Sequence, residues 1–499
     1  MPLMKSMGVA GLDKIRLILG TGLKAKMARG VLIFGSGTVT DRGLKFIRNI
    51  ILARILASEE FGLMAIVMVA PTVFEMFTQV GVNHSVIQSK RGSDSEYLNA
   101  AWWVQAIQSL VLFVVGILLS PLISSFYNKP QLLNLLRVAF LVILFRGFVS
   151  PRMNVLRKEH KYGRVVLLSL GSGVIGTFVA IALAFVVQNV WALVIGLVSE
   201  AAILCVMSYV LVPFMPRLGV ERKSLSELMR FVLGLLGSPV LVAIAVRADV
   251  VLLGKLVTEQ RLGLYSLAMQ LAYLPAILSD NIIRPVLLPG FSERQDDTES
   301  LRRGFLKLSQ MGVIFGTALA AFMVGCAGNI LLLAYGPEYA AVAVPFAVLS
   351  VCALIRMLSG IVVPVYMALG RPHVHRRFAA LRAAIVLCLM YPAIVMFDLV
   401  GAAGVVLLAN IITLCFQVYF IRGLVGLKFS EYIACWVPGL LVCSVVFGTK
   451  SLLHFFGIQS TISIMVLVGL SSVIAGSIGF LSSNLFPGRF MEAGKILRD

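Results

Sequence analysis

Residues 53–65 read ARILASEEFGLMA, and residues 254–266 read GKLVTEQRLGLYS. One slides onto the other without a gap at an offset of 201 positions, so that Arg54 meets Lys255, Gly62 meets Gly263 and Leu63 meets Leu264. Each copy carries a base inside an apolar run, then a short polar patch, then Gly-Leu. Aliphatic-rich segments match by chance easily, but the surroundings repeat as well. FYNKP (126–130) and AYGPE (334–338) occupy corresponding places further on, as do RKEHKYGR (157–164) and GRPHVHRR (370–377). The chain reads as an internal duplication.

What is duplicated follows from composition. The 499 residues are 59% hydrophobic and 13% charged. Soluble domains carry about 25% charged residues, and the mean hydropathy is +0.96. So apolar a chain cannot cover itself with polar surface, and it reads as an all-α integral membrane protein. The net charge of +20 would suggest nucleic acid in a soluble protein. Here the collection of Lys and Arg in cytoplasmic loops accounts for it, and no nucleic-acid partner is expected. The seven cysteines lie in apolar runs without CxxC spacing. They are expected to be small buried hydrophobes, with neither disulfides nor a metal site. The charged start, MPLMKSMGVAGLDKIRLILG, lacks the long apolar core of a cleavable signal.

Each helical crossing needs about 20 mostly apolar residues. Gly, Pro and charge clusters divide the chain into fourteen such ranges: 31–56, 61–87, 98–120, 131–151, 165–187, 190–214, 229–257, 262–290, 305–332, 339–369, 378–397, 401–421, 431–449 and 461–486. Alternate loops and both tails, taken with the basic stretches that run into the range ends at Arg230, Lys307 and Arg382, hold 30 of the 43 bases, and the opposite loops hold three: Lys129, Arg261 and Lys450. The bias places both termini in the cytoplasm. The expected organisation is a basic cytoplasmic segment (1–30), an N-lobe of six spans (31–215), a cytoplasmic linker (216–228), a C-lobe of six spans (229–424), and two extra spans with a cytoplasmic tail (425–499). Six is even, so the halves are parallel, which implies a pseudo-two-fold axis along the membrane normal and a site between the lobes. No loop is long enough for a catalytic soluble domain, and the chain is not expected to be an enzyme.

With Arg230, Lys307 and Arg382 counted in the basic loops that run into their ranges, ten bases remain inside: Arg42, Lys45, Arg48, Arg54, Arg137, Arg146, Arg247, Lys255, Arg284 and Arg356. Apart from Glu431 at the very edge of its range, five acids accompany them: Asp41, Glu75, Glu200, Asp249 and Asp280. A base at the centre of a membrane helix costs about 2.5–3.5 kcal/mol even on lenient scales. Arg54 and Lys255 sit near span ends and can reach the interface; the central bases cannot all do so. At about 100° per residue, Asp41, Lys45 and Arg48 share an arc of about 60°, which Arg42 widens to about 120°. That face must look into protein or water. Asp41 with Lys45, and Asp280 with Arg284, have i,i+4 spacing for internal ion pairs. Glu75 and Glu200 have no base nearby in sequence; each is either a site for a proton or sodium ion, or a carboxyl hydrogen-bonded between helices. The surplus of positive charge calls for an anionic cargo, and phosphate is the natural one. No cofactor is expected beyond a coupling H+ or Na+.

GVNHSVIQSK (81–90), SPLISSFYNKPQL (120–132), VRADVVLLGKLVTEQRLGLYSLAMQLAYLP (246–275) and RPVLLPGFS (284–292) together resemble the polysaccharide-transporter branch of the multidrug/oligosaccharidyl-lipid/polysaccharide (MOP) exporter superfamily. The most specific part is Asp249, Gly254, Lys255, Gly263 and Tyr265. The resemblance implies a flippase with two six-helix lobes that alternates access across the bacterial inner membrane and moves undecaprenyl-diphosphate-linked oligosaccharide units, powered by an ion gradient. It also implies that the two extra helices serve the lipid tail. The stretch DRGLK (41–45) is more charged than that family's pattern. On this reading Arg42, Lys45, Arg48, Arg247, Arg284 and Arg356 hold the anionic headgroup. Asp41, Glu75, Glu200, Asp249 and Asp280 serve ion coupling or internal pairing. The partners are a lipid-linked oligosaccharide and other polysaccharide assembly proteins. A lipid II (murein precursor) flippase and a small-molecule antiporter of the MATE kind are the alternatives. Essentiality of the gene would mark the first, and drug sensitivity of a deletion strain the second.

Overall fold

The computed structural model of the chain describes residues 23–159, 161–235, 237–371, 373–457 and 460–485. Among them there is helix and no strand. The helices are α1 (Leu23–Ala53), α2 (Ser58–Gln88), α3 (Ser95–Tyr127), α4 (Leu132–Ala139), α5 (Leu141–Gly147), α6 (Arg152–Lys158), α7 (Tyr162–Val187), α8 (Val190–Leu211), α9 (Arg222–Leu235) and α10 (Gly237–Leu256). There follow α11 (Glu259–Ile282), α12 (Arg284–Ser292), α13 (Thr298–Gly325), α14 (Ala327–Ala334), a 3-10 turn (Pro337–Val342), α15 (Ala343–Ala368), α16 (His373–Val425), α17 (Phe429–Ala434), α18 (Val437–Phe455) and α19 (Thr461–Leu485).

Helix occurs in every one of the fourteen expected ranges, but several are broken inside, as at Phe140, Ile283 and Cys326. By length and composition, nine of the described helical segments can cross a membrane, or ten when the bent pair of Leu132–Gly147 and Arg152–Lys158 counts as one. One of these, α16, is two helices joined at Asp398, whose backbone (φ 54°, ψ −135°) is not helical. The interruption lies between the expected ranges 378–397 and 401–421. Asp398 is ion-paired with Arg261; a short polar side chain tolerates the left-handed region better than most. α1 carries Asp41, Arg42, Lys45 and Arg48, too much charge to read as a plain apolar span. It also begins at Leu23, inside the segment expected as a cytoplasmic tail. The rest of that tail lies outside the described residues.

The described residues divide into two compact units, one formed by those up to Ile55 with Val67–Val240, the other by Leu56–Ile66 with those from Leu241. In the first unit, α7 packs along α8 and α1. The reason is a stripe of small residues. Gly173, Gly176, Ala180 and Ala184 recur down α7, all buried. A Cβ on Gly176 would lie 2.6 Å from Cβ of Glu200, and one on Gly196 would lie 2.5 Å from Cβ of Ala180. Small residues let membrane helices approach where apolar burial supplies no force between them. A second cluster joins Val82, Val86, Tyr97, Leu98, Val155 and Leu228, seating α9 on α3.

In the second unit α15 is central, packed on α11, α13 and α16, while α18 and α19 pack together on α13. Phe305, Leu358, Val362, Tyr366 and Ile421 lie in its core. The two copies of the duplicated motif meet here. A Cβ on Gly62 would lie 1.9 Å from the carbonyl oxygen of Glu259, and one on Gly263 would lie 1.8 Å from that of Ser58. Residues 58 and 259, like 62 and 263, are separated by the 201-residue offset, so the contact is reciprocal. Glu338 accepts hydrogen bonds from Ser58 Oγ and Gln260 Nε2 beside it.

The outer surface is apolar: Leu118, Phe178, Val186, Val206, Leu440 and Ile478 are exposed, as a lipid-facing surface requires. Cys388 and Cys415 are on it too, contrary to the expectation that every cysteine is buried; Cys326, Cys352 and Cys435 are buried and all seven are free thiols.

Candidate functional site

In the first unit the polar face of α1 meets Glu200 of α8. Lys45 Nζ lies 3.2 Å from Asp41 Oδ2 and 2.9 Å from Glu200 Oε1, and Arg48 reaches Glu200 Oε2 at 3.6 Å. Asp41 and Glu200 are both buried. The small residues of α7 make this meeting possible. Gly176 leaves space for the Glu200 stem, and a Cβ on Gly173 would lie 3.2 Å from Asp41 Oδ1. The i,i+4 pair expected of Asp41 and Lys45 is present; the link to Glu200 is tertiary. Arg42, half-buried on the same helix, has no carboxylate within 4 Å among the described residues, and its buried Nε has no hydrogen-bond partner.

Glu75 of α2 is ion-paired with Arg146 of α5. Beside the pair, Gln105 Nε2 donates to the Arg146 carbonyl at 3.1 Å, and Asn154 Nδ2 donates to Asn83 Oδ1 at 2.7 Å. These residues, with Ser150 and Arg157, line a cavity of about 150 Å³ inside this unit. Glu75 and Glu200, the acids without a base nearby in sequence, are thus both matched across helices.

In the second unit a polar chain runs between helices. Arg356 of α15 pairs with Asp280 of α11 at 3.4 Å and stacks over the ring of Tyr273 at 5.6 Å. Tyr273 donates to Cys352 Sγ at 3.2 Å, Asn410 Nδ2 donates to the same sulfur at 3.3 Å, and Arg382 donates to Asn410 Oδ1 at 3.4 Å. Asp249 is buried and accepts from Tyr265 at 3.4 Å. Arg247 and Arg382 have no carboxylate within 4 Å among the described residues, and Nε of each is buried without a partner. The pair expected of Asp280 with Arg284 falls outside the described residues, which do not include the Arg284 side chain; the helix of Asp280 ends at Ile282 and Arg284 opens α12.

The expected surplus of bases therefore shrinks on inspection. Arg54, Arg137 and Lys255 are exposed. Lys45, Arg48, Arg146 and Arg356 have carboxylate partners. Arg42, Arg247 and Arg382 are left over. Arg382 escapes sequence reading because RPHVHRRFAALR looks like a loop, whereas α16 begins at His373. Half-buried guanidiniums without carboxylates can each offer paired N–H donors to a phosphate or carboxylate in a weakly screened space. Among the described residues, no three His, Cys, Asp or Glu side chains converge as metal ligands would.

A family model described as "Polysaccharide biosynthesis protein" matches residues 51–344. The chain is 26% identical over 425 residues to the lipopolysaccharide biosynthesis protein WzxC of Escherichia coli, covering 83% of this chain and 85% of that one. It is 22% identical over 298 residues to the succinoglycan biosynthesis transport protein ExoT of Rhizobium meliloti, 60% of each. Among solved structures it is similar to the lipid II flippase MurJ in an inward closed conformation, with a TM-score of 0.76, 12% identity, and coverage of 91% of this chain and 99% of that one. At that identity the likeness is one of fold.

Proposed function

The chain belongs to the polysaccharide biosynthesis protein family, within the MOP transporter fold, and from that premise we propose that it is a flippase for undecaprenyl-diphosphate-linked oligosaccharide units in the bacterial inner membrane, with both termini cytoplasmic. It is a multi-pass membrane protein related to transporters of polysaccharide synthesis; the cargo and its handling are the proposal. The observation that carries it is a group of guanidiniums without carboxylates, Arg42 in one unit and Arg247 and Arg382 in the other, in addition to Arg157 of the cavity. Burying an unmatched cation is unfavourable unless an anion visits it. A diphosphate provides two adjacent anionic groups, and the arginine fork suits them better than the point charge of lysine. The paired residues Lys45, Arg48 and Arg356, together with Arg284, are also assigned to headgroup binding, each within its own unit. Their carboxylates Asp41, Glu200 and Asp280 hold these cations in the empty state and exchange them, or a coupling H+ or Na+, as the cargo enters; Glu75, which holds Arg146, and the buried Asp249 are assigned to the same coupling.

The test is polymer output from a deletion host carrying single variants at equal protein level. One lost charge-assisted hydrogen bond is worth about 1.5–3 kcal/mol. Arg42→Ala or Arg247→Ala is therefore expected to cut output about tenfold or more, with Lys at either position retaining part of it. Undiminished polymer from both Ala variants sinks the headgroup assignment.

A further inference from the structure

The cavity in the first unit shares only Glu75 with the groups assigned above, and its chemistry is mixed. Nε of Arg146 and Nε of Arg157 are buried donors without an acceptor, while Oε1 of Gln105 is a buried acceptor without a donor. Glu75, on the same wall, can only accept when charged. An occupant must therefore both donate and accept. The three charged groups of the lining, Arg146, Arg157 and Glu75, sum to one positive charge, which one negative charge on the occupant would balance. Val149, Met153 and Leu204 complete the wall and give a partly apolar ligand something to pack against.

These conditions discriminate between ligands. A phosphate dianion brings acceptors and a single O–H, too few donors for both Gln105 and Glu75, has no C–H face for the apolar wall, and sets its double charge against Glu75. A neutral sugar brings hydroxyls of both kinds but leaves the extra guanidinium unmatched. A pyranose bearing one carboxylate brings hydroxyl donors for Gln105 and Glu75, oxygens for the two Nε groups, one balancing charge, and C–H faces for the apolar wall. At about 150 Å³ the space is many times what one water needs. We propose that this cavity is a binding subsite for an acidic sugar, a uronic acid or similarly carboxylated pyranose, within the transported oligosaccharide. The idea rests on the flippase reading for the identity of the cargo.

The experiment is equilibrium binding to the full-length purified protein in nanodiscs by ligand-detected NMR, with glucuronate, glucose and inorganic phosphate as probes. Glucuronate is expected to bind saturably, glucose about tenfold more weakly, by the loss of one charged hydrogen bond, and phosphate is expected not to displace glucuronate. Arg157→Ala should abolish the preference for glucuronate, Arg157→Lys should keep part of it, and Gln105→Leu should weaken both sugars. Equal binding of glucose, displacement by phosphate, or unchanged glucuronate binding in both Arg157→Ala and Gln105→Leu overturns the proposal. The wild-type comparison decides it even where a variant does not fold. Binding needs no transport, so intact glucuronate binding with normal polymer in the Arg42 and Arg247 variants counts against the headgroup site alone. Absent glucuronate binding with Arg42-dependent polymer counts against the cavity alone.

Discussion

Glu221 shows how a single charge can be tuned outside the membrane. It accepts from Ser224 and, at 3.0 Å, from Arg91, which also lies near Asp94, Glu96 and Glu227. The Ser224 hydroxyl and then the Arg91 guanidinium hold its carboxyl below the ordinary carboxylate range. A group depressed on folding stabilises above its unfolded pKa, and loses that contribution as pH falls through the folded value. Glu221→Gln is therefore expected to lower the thermal midpoint slightly near neutral pH and to match the wild type once pH drops below the carboxylate range, measured by melting curves across pH. A constant difference at every pH would remove the electrostatic explanation. Residue by residue, the sequence shows what lies within one helix and little else. The Asp41–Lys45 pair is legible from its spacing of four, whereas the partners of Glu75 and Glu200 stand 71 and 155 positions away and depend on which helices touch. Arg382 is missed for a related reason: a basic, His-containing stretch reads as loop, and only the start of α16 at His373 puts it about two and a half turns inside a helix.

Among the elements, the pairing of α7 with α8 rests on atoms that are missing. Gly176→Ala would place its methyl 2.6 Å from Cβ of Glu200. Such overpacking costs about 1–3 kcal/mol, and it also pushes Glu200 from Lys45 and Arg48. A lower melting temperature together with reduced polymer is expected. Gly163→Ala, which meets nothing within 4 Å, is the control and should change stability by less than about 0.5 kcal/mol. Equal behaviour of the two variants would show that the close approach carries no weight. Helix positions were readable because hydrophobic length alone nearly dictates them, down to the interruption at Asp398. Helix ends were less so: α1 starts at Leu23 because Lys24, Lys26 and Arg29 do not oppose helix formation, only burial.

At the scale of the molecule, composition decided the class and the recurring motif announced two related parts, but neither reveals which bases keep a carboxylate. The orientation proposed from the basic loops has its own check. In a chain cleared of its native cysteines, Lys450→Cys should react with an impermeant thiol reagent added to intact spheroplasts, and Arg303→Cys only after the membrane is opened. Both positions are exposed. The reverse pattern would invert the topology, and with it the direction of transport.

The crossing of Gly62 and Gly263 has a consequence for how such a chain can evolve. Equivalent atoms of two copies touching reciprocally make the same contact as an isologous dimer interface, now sealed inside one polypeptide. In a true homodimer each substitution appears on both sides at once. In the fused form each side mutates alone, so the two half-contacts are free to become unequal, and one can yield before the other. Asymmetry of that kind is closed to two identical subunits and open to a tandem copy.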